Sequence, residues 1–162
     1  MDAVTSEIEI AAPIERVFKA LTDQKQLFDW WGREPSVELT KFEIEPRKGG
    51  RWTFECKPIA GMPTRHDPVL ETLEKNRAKS FQVHGKILEY DPPRLLVWSW
   101  IANWHEDPKH ETIVRWELTP AGKGTKVRVT HSGLEREPVA QQDYQGGWVG
   151  VLKLLSKFLE EQ

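Results

Sequence analysis

The stretch VRWELTPAGKGTKVRVTHSGL, residues 114–134, decides the fold class. Val114, Trp116 and Leu118 alternate with Arg115 and Glu117, and Val127, Val129 and His131 alternate with Lys126, Arg128 and Thr130. A period of two is that of a strand with one face buried and one face wet. Residues 121–124 lie between the two runs and carry the glycines of a turn. Two alternating strands joined this closely pair antiparallel and share one apolar face.

The same rhythm extends upstream through residues 37–44, 51–56, 81–90 and 95–102, punctuated by glycine and proline at 46–50 and 91–94. Trp52, Phe54, Cys56, Leu96, Trp98 and Trp100 fall on the inner face, with Thr53, Glu55 and Ser99 outside. His84 and Glu89 have opposite parity along their strand, so they are not expected to form an acid/base pair. Residues 4–10 alternate as well and supply a first strand.

Helices are expected at three places. After Pro13, the spacing of Ile14, Val17, Phe18 and Leu21 is that of an amphipathic helix. Thr22 or Asp23 then caps a shorter helix carrying Leu27, Phe28, Trp30 and Trp31, which Gly32 ends. Pro138 starts the third, whose stripe runs from Tyr144 through Trp148, Val151, Leu152 and Leu155 to Leu159. Residues 57–80 are too many for a hairpin turn, and Asp67-Pro68 is a further helix start, with Val69, Leu70 and Leu73 on one side.

The last helix contains three glycines, Gly146, Gly147 and Gly150, each costing about 0.8–1 kcal/mol against alanine. At 100° per residue, Gly147 flanks the apolar stripe, while Gly146 and Gly150 lie nearly opposite it. The latter two are expected to leave a flat outer face for a loop, the Trp30-Trp31 segment or a second copy of the chain.

At 162 residues the chain is read as one domain, residues 1–162. Its 23 basic and 25 acidic residues give a formal net charge of −2, which leaves no positive excess for a phosphate backbone, and nucleic acid is not an expected partner. The basic residues around Arg47 to Arg51 and Lys75 to Lys79 are interspersed with acids and read as solvated surface. Cys56 is the sole cysteine, so no intrachain disulfide and no structural zinc pattern is expected. With neither a basic leader nor a run of about 20 apolar residues, the expectation is a cytoplasmic protein without membrane contact.

The segments IAAPIERVFKALTD, DWWG, GGRWTFE, GKILEYDPPRLLVWSW, VRWELTPAGKGTKVRVTHSGL and GGWVGVLKLL occur in this order. Together they resemble the SRPBCC superfamily, whose members include the birch pollen allergen and the START lipid-transfer domains. Within it, they resemble the group named after the activator of the ninety-kilodalton heat-shock protein ATPase. The resemblance implies an α+β helix-grip fold: a curved antiparallel sheet of about six or seven strands wrapped around a long C-terminal helix, with two short helices after the first strand. It also implies a cavity between sheet and helix that takes apolar ligands.

Eight tryptophans in such a chain must concentrate somewhere, and the inner face is the place. If a cavity exists, its expected wall is Trp52, Phe54, Trp98, Trp100, Trp116 and Val129 from the sheet, with Tyr144, Trp148 and Leu152 from the helix. The alternative is that these side chains fill the space completely. His131 lies on the same face and is the polar candidate, able to orient a ligand or act as a base. Its plainer reading is a histidine bonded to a carbonyl at the strand's end. His105, Glu106, Asp107 and His110 crowd one loop, but their spacing matches no known metal site and reads as solvated. No G-x-S-x-G elbow, phosphate loop or cofactor motif is present.

Three functions follow. The first is non-catalytic binding of a small hydrophobic or aromatic molecule between sheet and helix, with no catalytic residue and no metal. The second is a chaperone-associated interaction module, as the group's name implies. The third is an enzyme of the polyketide cyclase type, with His131 and Asp143 moving protons. A homodimer is compatible with each.

Overall fold

A computed structural model describes residues 3–59 and 67–161. The chain runs β1 (Val4–Ile10), α1 (Ile14–Thr22), α2 (Gln24–Trp31), β2 (Val37–Ile44), β3 (Arg51–Pro58), α3 (Asp67–Lys75), β4 (Phe81–Asp91), β5 (Leu95–Ala102), β6 (Glu111–Ala121), β7 (Gly124–Ser132) and α4 (Pro138–Glu160). Every strand expected from alternation is present. The short helix starting at Asp67 is present too, while residues 60–66 of the same segment lie outside the described residues.

The seven strands among the described residues form one antiparallel sheet in the order β1-β7-β6-β5-β4-β3-β2. Strands β2 to β7 follow one another as a meander; only β1 is out of sequence, pairing with β7 while α1 and α2 carry the chain to the opposite edge. The sheet curls into a half-barrel and grips α4, giving the α+β helix-grip architecture. The helix entries follow local chemistry. Asp23 caps α2 by accepting the Gln26 N–H at 3.1 Å, and Gly32 ends it. No described helix is long and apolar enough to cross a membrane.

The inner face is as expected from β3, β5, β6 and β7: Trp52, Trp98, Trp116, Val114, Val127 and Val129 are all buried. Two departures occur in β4 and β5. A bulge between Ile87 and Glu89 reverses the parity of β4, so His84 and Glu89 are both exposed on the outer face rather than on opposite faces. Glu89 there meets Arg115 at 3.6 Å. Ser99, expected in solvent, is 1% exposed, and its Oγ accepts the Lys86 N–H at 2.9 Å.

That burial depends on Gly85. Trp52 and Gly85 are paired across β3 and β4, and the Trp52 indole N–H donates to the Ser99 carbonyl at 2.9 Å, reaching from β3 to β5. A Cβ at residue 85 would lie 2.0 Å from the same carbonyl oxygen. Only glycine lets the strands approach this closely. The Trp52 ring then stacks on Trp98 at 4.2 Å and 14°, and Trp98, Trp116 and Trp148 continue edge to face into α4. The two edge-to-face pairs set positive ring edges against negative faces.

Candidate functional site: a sheet–helix cavity and a buried polar relay

The tryptophans fill only part of the space between sheet and helix. On the side of β2, β3 and α3 a cavity of about 300 Å³ remains. Leu39, Phe54 and Cys56 line it from the sheet, Val69 from α3, and Trp31 from α2. Trp100, Trp104, Tyr144 and Trp148 form its aromatic wall. Glu34, Asp143 and Lys153 supply the charged groups of the lining.

Helix α4 contributes its flank to this cavity through Asp143, Gly147, Gly150, Val151 and Leu154. The flank position of Gly147 agrees with the helical phase. Gly150 corrects it: the cavity extends far enough around α4 to reach a residue expected on the outer face. The missing side chains at 147 and 150 therefore leave the cavity wider on its α4 side. Gly146 is exposed and takes no part.

Behind the aromatic wall lie two buried polar chains. In the first, Trp148 Nε1–H donates to His131 Nδ1 at 3.2 Å, which puts the ring proton of His131 on Nε2. Nε2–H then donates to Thr112 Oγ1 at 2.7 Å, and the Thr112 hydroxyl donates to the Trp100 carbonyl at 2.8 Å. His131 is thus a neutral structural histidine, bonded to two side chains rather than to the carbonyl expected. Burial, and then the neighbouring His105, hold its pKa well below the usual imidazole value.

The second chain starts at Tyr144. Its hydroxyl accepts the Trp100 indole N–H at 2.9 Å and shares a 2.7 Å hydrogen bond with His105 Nε2. His105 is fully buried, and its Nδ1 has no hydrogen-bond partner among the described residues. Burial first, then the charge of His110, lowers its pKa to about 4. Burial pushes the Tyr144 hydroxyl well above its usual value and, with the charges of Glu34 and Glu55, the Cys56 thiol up to about 12. The phenol and the thiol are therefore uncharged in the cavity wall at neutral pH.

The expected solvated loop between β5 and β6 is likewise corrected. Glu106 and Asp107 are exposed, but His105 turns inward, and His110 is only 24% exposed at its side chain. Glu137, which the sequence did not single out, closes the loop from the start of α4. Its side chain is 2% exposed. Glu137 Oε1 accepts the Glu106 N–H at 2.6 Å, and Oε2 accepts the Asp107 N–H at 3.3 Å.

The family described as activator of Hsp90 ATPase homolog 1-like protein matches residues 11–160, nearly the whole chain. The chain belongs to this family. Solved structures similar to this activator-homolog-like chain include protein CV1439 from Chromobacterium violaceum, with 21% identity and a TM-score of 0.76 over 99% of both chains. The AHSA1-like protein from Aeromonas hydrophila is 21% identical, with a TM-score of 0.69 over 98% of this chain and 92% of that one. DynU16, from the dynemicin biosynthetic locus, is 18% identical with a TM-score of 0.68; the match covers 99% of this chain and 48% of that one. No curated protein sequence matches the chain.

Within this activator-homolog-like fold, the residues expected to form one wall divide into two groups. Phe54, Trp100, Tyr144 and Trp148 line the cavity. Trp52, Trp98, Trp116, Val129, His131 and Leu152 are buried outside its lining and pack the core. The wall also contains residues that alternation did not mark. Trp31, Trp104 and Val69 come from helices and a loop, and the tertiary fold brings them to one cavity.

Proposed function

We propose that this protein binds a small aromatic molecule of one or two rings in the cavity between β2, β3, α3 and α4. The cavity itself carries the reading. Its volume of about 300 Å³ is at the lower end for ligand pockets. It is twice the roughly 150 Å³ apolar cavity known to take benzene. Seven aromatic residues line it, Trp31, Phe54, Trp100 and Trp148 among them, which favours flat molecules through stacked and edge contacts. Lys153, Asp143 and Glu34 offer polar handles for one substituent on the ring.

The binding is non-catalytic in this reading. His131, the base expected for a cyclase-type enzyme, has both ring nitrogens bonded within the core and does not line the cavity. DynU16 belongs to a biosynthetic locus, and the shared architecture carries over the fold, not that role. A chaperone-associated role rests on the family's description alone.

The test is a titration of the purified protein with indole, naphthalene and 2-naphthol, followed by tryptophan fluorescence. Saturable quenching is expected for at least one of them, and Gly147→Leu, which puts a side chain into the cavity, is expected to weaken it at least tenfold. Absence of saturable binding, or the same affinity in folded Gly147→Leu, would overturn the proposal.

A further inference from the structure

His105, His110 and Glu137 each bring a ligand atom within 4.8 Å of the other two. They come from two places in the chain, the β5–β6 loop and the residue preceding α4. The geometry points to a divalent transition-metal site of the zinc type, built from two imidazoles and one carboxylate, that clamps the β5–β6 loop to the start of α4. This inference does not depend on a ligand in the cavity.

Three observations support it. The first is the unpartnered nitrogen. His105 is fully buried, its Nε2 is committed to Tyr144, and Nδ1 has no hydrogen bond among the described residues. A buried ring nitrogen without a partner has lost its hydrogen bonds to water with nothing in return, and coordination would satisfy it. The other nitrogen already has the second contact that metal-bound histidines usually make: Nε2–H can donate to the Tyr144 hydroxyl, fixing the ring's orientation.

The second is the carboxylate. Glu137 sits at the N-cap position of α4 yet makes no side-chain cap to its own helix. It turns instead to the loop, where two backbone N–H groups orient it and His110 Nδ1 lies 3.4 Å from Oε2. A tetrahedral ion with bonds of about 2.0–2.1 Å needs its ligand atoms about 3.3 Å apart. The His110–Glu137 pair already has that spacing, and the widest pair has to close by at most about 1.5 Å.

The third is a preformed loop with an entry path. Asn76, just beyond α3, donates from Nδ2 to the carbonyls of Asn103 and His105 at 2.8 and 2.9 Å, so the loop is held from a third side. His110, partly exposed, is the side of the site open to solvent. Three protein ligands leave a fourth position for water, and an N, N, O set suits zinc, cobalt or nickel better than calcium or magnesium.

The experiment uses chelator-stripped full-length protein titrated with Co(II) and Zn(II). One Co(II) per chain is expected, with a visible spectrum of nitrogen and oxygen ligation and no thiolate charge-transfer band. Zn(II) is expected to displace it and to raise Tm in proportion to the logarithm of its excess. His110→Ala, at the most exposed ligand, is expected to lower affinity by more than about tenfold, and Glu137→Gln likewise. No stoichiometric binding by folded wild type, a thiolate spectrum from Cys56, or unchanged affinity in folded His110→Ala would each overturn the inference. Should Glu137→Gln fail to fold, the cobalt spectrum of the wild type and His110→Ala still decide it.

Discussion

The hydroxyl of Tyr144 stands 2.7 Å from Nε2 of His105, and the same oxygen accepts the indole N–H of Trp100. One phenol oxygen thereby joins α4, β5 and the β5–β6 loop. Because all three residues are buried, Tyr144→Phe leaves a donor on Trp100 and a ring nitrogen on His105 without partners. The expected loss is about 1–3 kcal/mol, read as a lower urea midpoint with an unchanged m-value. A loss below about 0.5 kcal/mol would mean that water or another group replaces the hydroxyl.

Gly85 is expected to tolerate no side chain. Gly85→Ala drives a Cβ to 2.0 Å from the Ser99 carbonyl oxygen, an acceptor that Trp52 also uses, and both atoms are backbone or backbone-bonded. Neither can swing aside as a flexible side chain would. A destabilisation of at least about 2–3 kcal/mol is expected, with loss of the Trp52–Trp98 stacking signal in near-ultraviolet circular dichroism. A neutral Gly85→Ala would show that β4 can move away from β5 without cost.

Gly146 predicts the opposite sign. It is exposed in the interior of α4 and does not line the cavity. Its cost of about 0.8–1 kcal/mol against alanine has no offset there, so Gly146→Ala is expected to raise stability by about that amount. Thermal melts compare it directly with Gly147→Ala, whose gain in helix propensity comes with a narrower cavity. Equal ligand affinity in both variants would argue against Gly147 as part of the binding wall.

Acid should unfold the protein partly through His131. Its folded pKa lies well below the unfolded value of about 6.5, so between these two the unfolded chain binds a proton that the folded chain does not. Stability is therefore full above about pH 6.5 and falls as pH drops, by about 1.4 kcal/mol per pH unit for this group. His131→Gln should flatten that limb of the urea midpoint against pH by one proton. An unchanged slope would place the uptake elsewhere.

Much of the fold is legible in the sequence because it depends on neighbours along the chain. Alternation in residues 114–118 and 126–131 specifies which face of β6 and β7 is apolar whatever lies opposite, and the 3.6-residue stripe of α4 does the same for its packing face. The bulge at β4 escaped this reading because one extra residue reverses parity without changing composition.

The division of the aromatics was decided only in three dimensions. Trp98 and Trp100 share a strand, a face and a residue type, yet Trp98 fills the core against Trp52 while Trp100 lines the cavity. What separates them is what each meets in space: Trp98 is enclosed by Trp52 and Trp116, whereas Trp100 reaches Tyr144 and Trp148 of α4 and borders the space that Val69 of α3 also lines. The grouping of His105, His110 and Glu137 has the same origin. They lie up to 32 positions apart, and no periodicity relates a loop to the residue before a helix. By itself, the sequence determined the strands, the helices and their apolar faces, because those follow from short-range geometry. Where space is left unfilled, and which polar groups meet behind it, depended on how large side chains pack across the curled sheet.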